Sequence, residues 1–372
     1  MNIAPFDYRP RTRVVFGHGE FARLGELARE FDPKRCLLVA DQSMVDSRLA
    51  NDAIRSLKAR RMDVFAFHDF SSAPTPAMVE AGHAYAAEHD VQLIVGMGRG
   101  GALDMAKAIN AVLTNGGRIQ DYYGYGKLQK PALPMIAVPA TAGAGSEALS
   151  QAVLFDPDTQ SNRSCGDAKL AFRLAILDPK LTLSQPADIA AASGFDAIAH
   201  SVETLGSTRR TPMSDCFSRS AWRHLNANYE RMLSAPEDLD ARGAMLLGAH
   251  LAGLAIENST LGPAHACAVP LGAHYGLLHG ASLGLILPEI VEWALEDSTD
   301  ELNLDGLSPA SLSRRLRDLR SAANLPTALR DVSIPEEALP RLAEEAAAQW
   351  TAKFSSRRFD AAAALEIYRA AF

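Results

Sequence analysis

The sequence predicts an α/β domain followed by an all-helical domain, with the boundary near Ser184 (residues 1–184 and 185–372). Three observations carry this. At 372 residues the chain is longer than one hydrophobic core usually serves, so two domains meeting at a cleft is the expected organisation. The first half alternates short β-rich runs with segments of helical spacing. After Pro186 the strand signals stop.

The β-rich runs are Arg13–Phe16, Cys36–Ala40, Asp63–Phe67, Gln92–Val95 and Pro134–Val138. Between them, Met44–Ala59, Pro76–Glu88 and Gly101–Leu113 place apolar residues at helical spacing, an alternation that reads as a largely parallel sheet. A further apolar run, Leu174–Leu177, closes on Asp178-Pro179. Beyond it nearly everything to Phe372 reads as helix, interrupted by a Gly- and His-rich stretch from Gly262 to Gly284 and by turns near Asn303–Ser308 and Asn324–Pro326.

Composition narrows the function. Hydrophobic residues make up 48% and charged residues 22%, the profile of an ordinary globular enzyme. A net charge of −7 with no basic cluster argues against nucleic acid as a partner. Cys36, Cys165, Cys216 and Cys267 form no C-x-x-C pair, so free thiols are expected rather than a zinc ribbon or a dithiol redox site. Residues 1–15 lack the apolar core of a signal peptide, and no stretch approaches 18 uninterrupted apolar residues. A cytoplasmic location and no membrane partner are the expectations.

Two loops invite a phosphate. Gly96-Met97-Gly98-Arg99-Gly100-Gly101 follows the run Gln92–Val95, precedes a helix and satisfies G-x-G-x-x-G. Glycines permit a tight turn and close backbone approach, while the helix N-terminus offers free N–H groups to a pyrophosphate. The motif sits at the fourth strand, so it is not an ordinary Rossmann fingerprint. The second loop, Pro139 to Glu147, also follows a strand and presents small and hydroxyl side chains. Asp41, directly after Ala40, has two readings, acceptor for a ribose or helix cap.

The second half holds metal-ligand chemistry. Asp196 and His200 are four residues apart in a helical context and project from one face. Three of the ten histidines, His265, His274 and His279, lie between Gly262 and Gly280. Neutral imidazoles with a carboxylate suit a divalent first-row metal, and on residue type alone any three or four of these five side chains are candidate ligands.

These residues resemble the iron-containing (group III) alcohol dehydrogenase family, which shares a dehydroquinate synthase-like fold with glycerol dehydrogenases. The similarity runs over nearly the whole chain: Val15-Phe16-Gly17, the glycine turn ending in Asp104 and Lys107, Pro139–Glu147, Leu177-Asp178-Pro179, Gly194–Glu203 and Gly262–Gly280. It implies a dinucleotide-binding domain over 1–184 and a metal- and substrate-binding domain over 185–372. It implies metal ligation by Asp196, His200, His265 and His279, with iron or zinc as the ion. It places Gly98, Gly100, Gly101 and Asp104 around the cofactor pyrophosphate, Thr141 and Ala142 near the nicotinamide, and Asp41 at the adenosine ribose, where a carboxylate favours NAD over NADP.

The sequence departs from the family pattern at several points. Gly98-Arg99-Gly100-Gly101 replaces Gly-Gly-Gly-Ser, and Ala140 and Ala144 replace threonines. Asn162, with Arg163 beside it, stands where a lysine usually touches the nicotinamide ribose. Val269 replaces a histidine linked to proton transfer, which makes His274 the candidate for a compensating relay.

The implied reaction is NAD(H)-linked oxidation of an alcohol or reduction of an aldehyde or ketone, by hydride transfer with the substrate oxygen on the metal. A small-molecule substrate and a homodimer are the implied partners. The rivals are dehydroquinate synthase-like or glycerol dehydrogenase-like activity on the same fold, a metal-independent maleylacetate reductase-like enzyme, and a non-catalytic protein that kept the fold. A phosphorylated acid would call for several basic residues, and Ser193–Glu203 and Gly262–Gly280 contain no Lys or Arg.

Overall fold

The protein is described from a computed structural model covering residues 5–70, 73–159, 161–295, 304 and 306–372. Its chain divides into two compact units. One comprises Arg9–Gln185, the other Pro186–Phe372 with residues 5–8.

In the first unit the elements run β1 (Arg13–Phe16), α1 (Leu24–Ala28), β2 (Arg35–Ala40), α2 (Gln42–Asp46), α3 (Leu49–Lys58), β3 (Asp63–Phe67), α4 (Pro76–Glu88), β4 (Leu93–Gly98), α5 (Gly100–Asn115), β5 (Gly124–Tyr125), β6 (Met135–Pro139), β7 (Gln151–Asp156), β8 (Ser161–Gly166) and β9 (Leu174–Leu177). Six strands form a parallel sheet in the order β1-β9-β6-β4-β2-β3. Its central strands are buried along their whole length, which is why they read as unbroken apolar runs rather than alternating ones. One core joins Leu24, Leu27 and Leu57 to the strand residues Leu38, Val95 and Ile136. Against the helix α5, Gly82 of α4 admits the side chain of Ile109, since a Cβ there would stand 2.4 Å from Ile109 Cδ1.

Two features differ from the sequence expectation. The helical spacing of Met44–Ala59 is cut into α2 and α3 by Arg48, which adopts a left-handed conformation (φ 64°). A second, three-stranded sheet of β5, β8 and β7 was not expected. Its hairpin pairs Gln151–Asp156 with Ser161–Gly166, and the second strand is too polar to carry an apolar strand signal.

The second unit holds α6 (Ala187–Glu203), α7 (Pro212–Ser234), α8 (Leu239–Glu257), α9 (Pro263–Tyr275), α10 (His279–Leu295), α11 (Pro309–Ala322), α12 (Leu339–Ala347) and α13 (Ala361–Ala370). Asn303 and Asp305 of the expected turn near Asn303–Ser308 lie outside the described residues. Close approaches are set by small residues. A Cβ at Gly194 of α6 would meet the Tyr229 ring of α7 at 2.5 Å, and Tyr229 Oη donates to Ala191 O at 2.6 Å. Pro288 inside α10 removes an N–H and frees the carbonyl of Gly284, which accepts from the buried Arg320 guanidinium at 3.3 Å. Among the described helices only α8 is long and apolar enough to cross a membrane, and 67% of that stretch is buried within the protein, as in a core helix.

Candidate metal centre and glycine turns

The metal-ligand candidates gather because α6, α9 and α10 meet. On α6, Asp196, His200 and Glu203 are spaced i, i+4, i+7 and share one face. Helix α9 opens with Pro263 at its first turn, where a missing N–H costs nothing, and places His265 in that turn. At the start of α10, Gly280 lets the backbone press against α6, since a Cβ there would stand 1.8 Å from Ala192 O. That contact sets the neighbouring His279 opposite Asp196.

Ligand atoms of Asp196, His265 and His279 all lie within 4.8 Å of one another. From Asp196 Oδ1, the Nε2 atoms of His200, His265 and His279 are 3.3, 3.8 and 3.9 Å away. The His200 and His265 rings stack at 4.8 Å. His279 alone is open to solvent, its side chain 43% exposed. Asp196 Oδ1 and His265 Nε2 are buried, and neither has a hydrogen-bond partner of proper geometry among the described residues; His200 stands beside this group through Nε2, its unpaired atom being Nδ1 on the other side of the ring. Unpaired buried acceptors of this kind are what a cation satisfies, so the donor set fits a divalent ion.

Sequence reasoning missed Glu203. This buried carboxylate accepts the Nδ1–H of His265 on Oε2, while its Oε1 accepts from the backbone N–H of Ala264 at 2.5 Å and of His265 at 3.4 Å. It therefore caps α9 and fixes the His265 tautomer, leaving Nε2 as the free donor atom. The signal was its position, one helical face with Asp196 and His200.

Electrostatics follow from burial against pairing. Burial pushes the Asp196 carboxyl up, but the imidazole of His200 and those of His265 and His279 outweigh it and hold the group below the usual carboxylate range. Burial drives His200 down to about 4. It would do the same to His265, but Glu203 and Asp196 raise that ring to about 9. A bound ion competes with that proton.

His274 does not join this group. It lies nine residues after His265 on α9, roughly two and a half turns, and so emerges on the opposite face. There its Nε2 meets Glu345 Oε2 at 2.6 Å and its Nδ1 accepts from Arg341 at 2.9 Å. Both ring nitrogens are engaged by α12, on the face away from His265.

In the first unit, register brings three loops to the carboxyl ends of adjacent parallel strands. Ala40 of β2 pairs with Met97 of β4, and Gly98 pairs with Pro139 of β6. Gly98 has φ 131°, and a Cβ there would stand 2.2 Å from Asp41 Oδ2. Gly100 and Gly101 form the first turn of α5, where N–H groups lack intrahelical partners. Thr141 and Ala142 follow β6 and are half-buried.

Asp41 is the N-cap of α2. Its Oδ1 accepts from Ser43 Oγ at 2.5 Å and Met44 N at 3.3 Å, and its Oδ2 accepts from Arg99 N at 2.7 Å. It is 4% exposed, so the carboxylate braces the glycine turn from within. Asp104 is also inward: it pairs with the fully buried Lys107 at 3.2 Å and accepts from Val153 N at 3.2 Å. Lys107 also donates to Ser146 O and Gln151 O, each at 2.7 Å, tying α5 to the second loop and to β7. Asn162 stands on β8 opposite Phe155, in the smaller sheet rather than on the strand-end loops.

Comparison with known proteins identifies the family. Residues 10–179 match the family described as iron-containing alcohol dehydrogenase, and residues 190–372 match its C-terminal family. The chain is 29% identical over 345 residues to an NAD-dependent methanol dehydrogenase of Bacillus methanolicus, covering 89% of this chain and 91% of that protein. It is 30% identical over 365 residues to long-chain-alcohol dehydrogenase 1 of Geobacillus thermodenitrificans, covering 94% and 91%. The alcohol dehydrogenase of Oenococcus oeni superposes with a TM-score of 0.94 at 26% identity, over 99% of this chain and 100% of that one. The chain belongs to the iron-containing alcohol dehydrogenase family.

Proposed function

We propose that the protein is a metal-dependent, NAD(H)-linked dehydrogenase that interconverts a small alcohol with its aldehyde or ketone, its metal held by Asp196, His200, His265 and His279. The observation that carries this reading is the convergence of three imidazoles on Asp196 Oδ1, a buried oxygen without a hydrogen bond among the described residues. A divalent ion there supplies Lewis acidity toward the substrate oxygen, and nicotinamide supplies or accepts the hydride.

The chain's own residues bind and orient. Asp196 offsets the charge of the cation, Glu203 fixes the presentation of His265, and His279, the exposed member, stands on the open side of the group. Gly98, Gly100 and Gly101, with the α5 N-terminus, provide close backbone approach for a pyrophosphate, and Thr141 and Ala142 flank the adjoining strand end. Asp41 and Asp104 act in this reading by holding those loops. NAD rather than NADP is carried by the name of the methanol dehydrogenase relative. Three imidazoles and one carboxylate accept iron or zinc, with cellular supply deciding between them. A cytoplasmic homodimer completes the reading on family resemblance.

The test is NADH oxidation against a panel of aldehydes and ketones, with metal content measured on the same sample. Turnover that rises with added Fe²⁺ or Zn²⁺ and stops on chelation supports the reading. Turnover indifferent to chelation, or none with any carbonyl compound, contradicts it.

A further inference from the structure

A cation sits among the glycines of the first loop. Arg99 stands between Gly98 and Gly100 as the N-cap of α5. Its side chain lies beside Asp41, with Nε 3.9 Å from the same Oδ2 that accepts from the Arg99 backbone N–H at 2.7 Å. The side chain is 35% exposed. Nε is buried, whereas Nη1 and Nη2 are not, and neither of these outer nitrogens donates to a described residue. A guanidinium with its outer donors unspent therefore reaches solvent where β2 and β4 end side by side.

Asp41 presents the opposite picture. It is 4% exposed, and its oxygens take an O–H from Ser43 and N–H groups from Met44 and Arg99. A carboxylate at such a strand end selects against a 2′-phosphate by accepting from the ribose 2′-hydroxyl and by repelling the phosphate. The first effect needs an acceptor open to the ligand, and burial with three donors in place removes it. The second needs an unbalanced negative charge, and the Arg99 cation offsets it at close range. A guanidinium is planar, permanently charged and matched to phosphate oxygens through paired N–H groups.

We propose that the adenosine-ribose end of this site takes a 2′-phosphate, so that the enzyme uses NADP(H) as well as NAD(H), with Arg99 as the residue that sets this breadth. The inference rests on the dinucleotide lying over the glycine turn, as in the reading above. Nη1 and Nη2 donate to the phosphate oxygens, while Asp41 keeps the arginine in place from behind. NAD(H) is retained because its ribose hydroxyls meet a balanced ion pair and no excluding charge.

The full-length, metal-loaded protein is titrated with NADH and NADPH by nucleotide fluorescence. Two competitors are then run against NADH, AMP and 2′,5′-ADP, which differ only by the 2′-phosphate. Wild type is expected to bind NADPH within about tenfold of NADH, and 2′,5′-ADP at least about tenfold more tightly than AMP. Arg99→Gln should weaken NADPH at least about tenfold more than NADH, and Arg99→Lys, which keeps the charge without the fork, should recover part of that loss. The competitor pair tests the site on the wild type alone, should a variant fold poorly. NADH binding with NADPH more than about a hundredfold weaker, no gain from the 2′-phosphate, or equal losses of both nucleotides in Arg99→Gln overturns the inference and leaves the dinucleotide reading standing. Binding of neither nucleotide to the wild type overturns both.

Discussion

Glu203 holds His265 from two directions at once, taking the ring Nδ1–H on one carboxylate oxygen and the first backbone N–H groups of α9 on the other. The same carboxylate is therefore both the cap of the helix and the orienting partner of a metal-ligand candidate. Ring rotation and helix fraying are coupled through it.

Glu203→Gln keeps the shape but removes the charge and one acceptor. Loss of a carboxylate behind a ligating histidine typically lowers metal affinity by about 10- to 100-fold. Metal titration of the refolded apo-protein by calorimetry measures this directly. Unchanged affinity would reduce Glu203 to a helix cap.

Gly280→Ala should disturb the centre without touching a ligand. The added Cβ would stand 1.8 Å from Ala192 O, so α10 must shift away from α6 and carry His279 with it. Overpacking of this kind costs roughly 2–3 kcal/mol. Denaturant unfolding reads the stability, and metal content reads the displaced ligand; the expected result is a loss in both.

Gly98→Ala acts on the other unit. Its φ of 131° and the 2.2 Å approach to Asp41 leave no room for a methyl group, so the turn must open. We expect NADH affinity to fall at least tenfold with metal content unchanged. Fluorescence titration with NADH checks the first, and metal analysis the second.

His274→Ala should change little. Its ring nitrogens serve Glu345 and Arg341 on a partly exposed surface, where such pairs contribute up to about 1 kcal/mol. Turnover within a few-fold of wild type and an unaltered pH–rate profile are expected. A hundredfold fall in rate with the loss of a titration step would restore the proton-relay reading.

Much of this was legible in the sequence for physical reasons. Strands buried on both faces must be apolar throughout, and the six strands of the large sheet were found within one residue at each end except β4, which continues three residues past Val95 to Gly98 because two of its last three residues are glycines. Asp196 and His200 were recognisable because helical spacing puts them on one face. The break at Arg48 was hidden, since apolar spacing continues through a residue that turns left-handed. The hairpin was missed because Ser161–Gly166 is mostly polar, although Gln151–Asp156 does alternate in burial. The placement of His274 was hidden because proximity in sequence ignores helical phase, and phase sends it to the face opposite His265. Asp41 and Asp104 illustrate a further limit: a carboxylate beside a glycine turn is as useful for holding the loop as for touching a ligand, and only their hydrogen bonds separate the two.

The most direct test of the metal centre is metal per chain, measured by mass spectrometry on wild type and Asp196→Asn, with NADH-linked turnover taken on the same samples. Asp196 Oδ1 is the atom on which all three imidazoles converge. We expect about one ion per chain in the wild type. In the variant we expect loss of nearly all metal and turnover together, with circular dichroism unchanged. Full metal occupancy and undiminished turnover in Asp196→Asn would contradict the assignment.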